Sequence, residues 1–108
     1  MRRSPNTPVE ILRAAKRLIE NPERWTQNAP ARHATGEPCG SYSVYAVCWC
    51  AIGAIYKASA GSDAVEAAIA AMPKGFVDDN DTLGHAKTMA NFDIGIANAE
   101  SQGELPPA

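Results

Sequence analysis

The sequence predicts a mainly α single-domain bundle of about four helices, with a short β-hairpin or extended loop between helices 1 and 2. Three observations carry that expectation. The chain has 108 residues, enough for one core. Twenty alanines sit beside only two Phe, two Trp and three Tyr, a composition that favours helices and lets their backbones approach closely. Start and stop signals for helices recur along the chain, while strand formers are sparse outside one segment.

The elements follow in order. TPVE at 7–10 is a capping box with proline at the first helical position, so the Thr7 hydroxyl accepts the Glu10 N–H. Ile11, Leu12, Ala15, Leu18 and Ile19 then share one face, and Asn21-Pro22 stops the helix. Residues 24–40 lack a helical period and hold two prolines and two glycines; Ala34-Thr35-Gly36 is the expected hairpin turn. Pro30 and Pro38 would confine both hairpin strands to edges. Ser41 or Ser43 caps a second helix over residues 44–58, ended by Gly61 and expected to be the central one. Ser62 caps a third over 63–72, closed by Pro73. KGFVDDND reads as an acidic loop, and Asp81 or Thr82 caps a last helix to about residue 101, with Leu83 in its apolar stripe. The domain plan is a flexible basic arm at 1–6, a helical domain at 7–101 and a flexible tail at 102–108.

The net charge of −2 hides an asymmetry. Residues 1–36 carry seven Lys/Arg against three Asp/Glu, and residues 37–108 carry three against nine. A basic arm and a solvated helix face account for the first part, without the basic stripe and interleaved aromatics of a nucleic-acid binder. The longest apolar run, residues 44–55, is well short of the ~20 residues of a membrane helix. Three cysteines and no visible secretory signal lead to an expected cytoplasmic location with reduced thiols.

Three fragments, RWTQNAPARHATGEP, VCWCAIGAIYKA and HAKTMANFDIGIANA, resemble a family of small bacterial and phage-associated proteins classed as a domain of unknown function. Its pattern runs W-T-Q-G-A, A-R-D-x-x-G-x-P, W-C-x-x-G-A, an N-D pair, then H-A-x-x-x-x-x-F-D. The matching residues are Trp25, Thr26, Gln27, Ala31, Arg32, Gly36, Pro38, Trp49, Cys50, Gly53, Ala54, His85, Phe92 and Asp93. Asn28 replaces a glycine of the pattern and His33 an aspartate. The N-D pair corresponds best to Asp78-Asp79, and less well to Asn80-Asp81. The resemblance covers residues 9–100 and implies the fold but no activity. The family's distribution implies a phage or mobile-element accessory role, including inhibition of a host defence complex.

The candidate chemistry is limited. On one helix Cys48 and Cys50 would project about 200° apart, so they could not chelate one metal ion. No metal and no cofactor is expected. Cys50 and His85, with Asp93 or Asp79 as orienter, have the chain order of a cysteine hydrolase. Against that, a cysteine six residues into a helix lies beyond the turn where the dipole lowers a thiol pKa. Asp93 within an apolar stripe demands a partner, which Arg32 or His85 would supply. The expected binding cluster is therefore Trp25, Gln27, Arg32, His85 and Asp93, with Asp78 and Asp79 nearby. The expected function is a small non-catalytic interaction protein with a protein partner; the alternative is a cysteine–histidine hydrolase.

Overall fold

Thr7 opens the first helix as its side-chain chemistry dictates, its Oγ1 accepting the Glu10 N–H at 3.2 Å. The computed structural model describes residues 7–103. The expected arm at 1–6, and residues 104–108 of the expected tail, lie outside the described residues. Helix α1, Pro8–Ile19, buries Ile11, Leu12, Ala15 and Ile19 and exposes Arg13 and Arg17. Asn21 then starts a 3-10 turn, Pro22–Arg24, its side chain accepting the Glu23 N–H.

The hairpin forms, within a three-stranded antiparallel sheet. Strands β1 (Ala31–His33), β2 (Pro38–Cys39) and β3 (Ala46–Trp49) lie in the order β2-β1-β3. Gly36, at φ +93°, makes the turn between β1 and β2. Only Pro38 sits on an edge strand. Strand β1 is central, and Pro30 precedes it, its carbonyl accepting the Cys50 N–H at 3.1 Å. Cys39 pairs with Ala31 and Cys48 with Arg32. Ala31 and Arg32 point to opposite faces, so the two thiols are separated by the sheet.

The expected helix over 44–58 is corrected. Residues 46–49 are strand, and α2 is shorter, Ala51–Ser59. A continuous apolar run does not distinguish strand from helix by period alone, and Val47, Cys48 and Trp49 suit a half-buried pleat. Tyr45 and Trp49 therefore share no helix face with Ile52 and Tyr56. Cys50, expected within a helix, is instead the N-cap of α2, its Sγ accepting the Gly53 N–H at 3.3 Å.

Helix α3 is Val65–Ala71, beginning later than expected because Ser62 Oγ accepts the Ala64 N–H and closes a turn first. The acidic segment expected as a loop is helix α4, Phe76–Thr82, entered through Gly75 at φ +81°. Asp78 and Asp79 fall in its first turn, where the helix dipole favours them. Asp81 and Thr82 thus belong to α4 rather than capping the last helix, and Leu83 is exposed. Helix α5 runs from His85 to Gly103, two residues past the expected end. The described residues hold five α-helices, not four.

Ile11, Leu12 and Ile19 of α1, Ile55 of α2 and Phe92 of α5 are completely buried in one core cluster. Helix α1, rather than α2, is the element against which α2, α3 and α5 all pack. Asn98 Nδ2 donates to the Ala71 carbonyl and ties α5 to the end of α3. Among the described residues, no helix is long and apolar enough to cross a membrane.

Candidate functional site

Asn80 organises the polar centre of the molecule. Its Oδ1 accepts the Trp25 indole N–H at 2.7 Å and the Ala51 N–H at 2.9 Å. Its Nδ2 donates to the Thr26 carbonyl at 3.1 Å and to Asp81 Oδ1 at 3.0 Å. Two lone pairs and two hydrogens are all the hydrogen-bonding capacity an amide has, so the side chain is saturated. The nearby Thr88 hydroxyl is accordingly left to donate to the Gly84 carbonyl, 3.0 Å away. Gln27 Nε2 donates to the Asn80 carbonyl, and the Asn28 N–H donates to Asp81 Oδ1. One buried asparagine thus joins the 25–28 segment, the start of α2 and helix α4.

The expected cluster is therefore partly assembled. Trp25 and Gln27 meet at Asn80, and His85 stacks edge-on against Trp25 with ring centroids 5.3 Å apart. Asp93 is not there. It is largely exposed and pairs with Lys16 at 2.7 Å, on the α1 side. Arg32 is satisfied without a carboxylate, donating to Thr26 Oγ1 and to the carbonyls of Gln27 and Gly36, so it braces the hairpin turn against the 26–27 segment. Asp79 accepts from Asn91 Nδ2, and exposed Asp78 contributes its carbonyl to the Thr82 hydroxyl. Asn80-Asp81, rather than Asp78-Asp79, is the pair that reaches Trp25 and Gln27.

Cys50 and His85 each bond to a partner other than the other. His85 Nε2 lies 2.8 Å from the Ile19 carbonyl; because a carbonyl only accepts, that nitrogen carries a hydrogen and is not a base for a thiol. At the helix cap the dipole and the Gly53 and Ile52 N–H groups favour the Cys50 thiolate, but burial is the larger effect and pushes the thiol pKa up. The thiol borders a shallow cavity of about 390 Å³ lined by Asn28, Pro30, Ile52, Val77 and Asp81. Gly53 explains the close fit behind it: a Cβ there would lie 1.9 Å from the Pro30 oxygen.

A second region, residues 42–47, lies outside the clusters that the sequence pattern picks out. Tyr42, Val44, Tyr45 and Val47 are 53%, 86%, 72% and 44% exposed, four large apolar side chains within six residues. The segment is nevertheless ordered. Trp49 Nε1 donates to the Ser41 carbonyl, the Tyr45 N–H to Ser43 Oγ, and the Tyr45 ring packs edge-on against His33. Reading 44–58 as one helix hid this surface, because it turned Tyr45 toward a helix face. Asn80 was hidden for the opposite reason: a short polar run reads as solvated unless its partners are known.

Among the described residues there is no group of three or more His, Cys, Asp or Glu able to hold a metal ion. The model of a family of unknown function, DUF6197, matches residues 3–93. Neither a curated protein nor a solved structure matches the chain.

Proposed function

The chain belongs to this family of unknown function, whose description supplies no activity, and we propose that it is a non-catalytic interaction protein docking a protein partner through residues 42–47. The observation that carries the reading is the exposed, ordered run of Tyr42, Val44, Tyr45 and Val47. Single exposed apolar residues are ordinary, whereas contiguous ones mark interaction surfaces. Tyrosines suit such a role because they bring contact area with few torsions to freeze. The saturated polar centre argues the same way: Asn80 has no capacity left for a substrate, and Cys50 and His85 are engaged elsewhere. The role implied by the resemblance, an accessory protein of a phage or mobile element occupying a host complex, is one such a surface would serve.

Co-purification from the host followed by native mass spectrometry tests this. A partner of fixed stoichiometry is expected with the natural sequence and with Cys50→Ala. It should be lost from Val44→Asp/Tyr45→Ser at unchanged thermal stability. Retention of the partner by the double variant, or no partner at all, would sink the reading.

A further inference from the structure

We propose that the open cavity between Tyr42 and the α2–α3 junction receives the guanidinium of an arginine presented by the protein partner. The cavity holds about 460 Å³, within the range of small-ligand sites, and Tyr42, Tyr56, Ser59, Asp63, Val65 and Glu66 line it. No Lys, Arg or His is among its lining residues.

The lining offers acceptors and ring faces. Buried Ser59 has one hydroxyl hydrogen, and Oγ lies 2.7 Å from the Tyr56 carbonyl, which takes it. In its 3.4 Å contact with Ser59, the Tyr42 hydroxyl is therefore the donor and keeps its lone pairs. The nearby Ser62 and Ala64 N–H groups are already used, by the Ser59 carbonyl and Ser62 Oγ. Beside these groups the lining carries two carboxylates, phenolic lone pairs and two partly exposed tyrosine rings. That set complements a cation rich in donors. Arginine fits it better than lysine, because its planar fork stacks on aromatic faces and bonds carboxylates bidentately.

The source is a protein because Tyr42 belongs both to this cavity and to the exposed 42–47 surface, so the inference rests on the interaction reading above. A partner covering that surface would carry the arginine into the cavity beside it.

The experiment is an amide NMR titration of the full chain with N-acetyl-arginine amide, with the citrulline analogue as neutral isostere and with spermidine. Saturable shifts are expected at Gly61, Ser62, Asp63 and Glu66, with at least tenfold weaker binding of citrulline. Asp63→Asn and Glu66→Gln alter exposed side chains and should each weaken arginine binding about fivefold. The probe is a free arginine derivative and needs no partner, so failure of the cavity in this titration is distinguishable from failure of the docking surface in the co-purification. No saturable shift at these amides, equal binding of citrulline, or tighter binding of spermidine than of arginine would each overturn the proposal.

Discussion

The polar centre around Asn80 and the surface at 42–47 differ in how their side chains are satisfied. Around Asn80 every donor and acceptor of the amide has a partner, and the described residues hold no buried side-chain nitrogen or oxygen without one. At 42–47 large apolar side chains face water, although their backbone is tied down. The first arrangement lowers the energy of the fold and leaves nothing to offer a ligand. The second contributes little to the fold and presents area that a partner would desolvate. Trp25, Gln27, Cys50, Gly53 and His85, which carry the family resemblance, all lie at or beside the first. That resemblance therefore describes how the fold is locked, while the surface proposed for docking lies between the matched motifs.

The largest expected effect breaks the polar centre. Asn80→Ala strands the Trp25 indole N–H, the Ala51 N–H and the Thr26 carbonyl, each costing about 1–3 kcal/mol when buried, so a total near 4 kcal/mol is expected. For a domain of this size that is a drop in Tm of more than ~15 °C by calorimetry. Asp78→Asn, two residues away but exposed, should stay within about 0.5 kcal/mol. Similar losses for the two would dissolve the contrast between saturated centre and solvated surface.

Gly53→Ala comes next. In an ordinary helix interior this change gains about 0.5–1 kcal/mol. Here the new methyl meets the Pro30 oxygen, backbone rather than a yielding side chain, so overpacking reverses the sign to a loss of about 2–3 kcal/mol in denaturant unfolding. A stabilising Gly53→Ala would mean that the 30–31 segment moves freely from α2. Neither variant should alter partner binding per folded molecule, whereas Val44→Asp/Tyr45→Ser should do the reverse.

How much of this was legible in the sequence follows from which interactions are local. The Thr7 cap, the Gly36 turn and the apolar face of α1 depend on residues within one turn, and each forms where its chemistry points. The strand at 46–49 depends on Arg32 and His33, met across the sheet, so the local pattern could not separate it from the helix that follows. Helix α4 is seven residues long and acidic, and buried Phe76 and Asn80 hold it in place rather than any propensity. The position of Asp93 within an apolar stripe points to burial in the polar centre, but its ion pair with Lys16 belongs to the docking of α5 on α1. Long-range partners decide these departures, whereas the late start of α3 follows from the local turn at Ser62.

The two cysteines flanking Trp49 sharpen the comparison chemically. Cys50 keeps its proton in the folded chain at pH values where the unfolded chain loses it, because burial raises its pKa. The folded state then binds more protons, so this group's contribution to stability falls as pH rises past the ordinary thiol range. As pH rises above the ordinary thiol pKa of about 8.5, natural protein should lose stability faster than Cys50→Ala. Iodoacetamide should reach half-buried Cys39 and Cys48 well before Cys50. Rapid alkylation of Cys50 at neutral pH would place a reactive thiol at the saturated centre and revive the hydrolase alternative.

The smallest expected effect concerns Asn28, at the margin of the polar centre. Its φ of +65° lies in the left-handed region, and the residue is exposed, with its N–H held by Asp81. Asparagine tolerates that conformation better than other side chains, and glycine tolerates it best. Asn28→Gly relieves the strain but gives the unfolded chain more freedom, so the two effects nearly offset and a gain of about 0.5 kcal/mol is expected. Asn28→Ala keeps the strain without the local polar side chain and should lose about 1 kcal/mol. The Gly-minus-Ala difference reports the left-handed backbone less the extra freedom glycine gives the unfolded chain, since both substitutions remove the same side chain and keep the N–H to Asp81. If the two variants prove equally stable by calorimetry, the left-handed turn at residue 28 is not what seats the 25–28 segment on Asn80, and the side-chain bonds of Trp25 and Gln27 seat it alone.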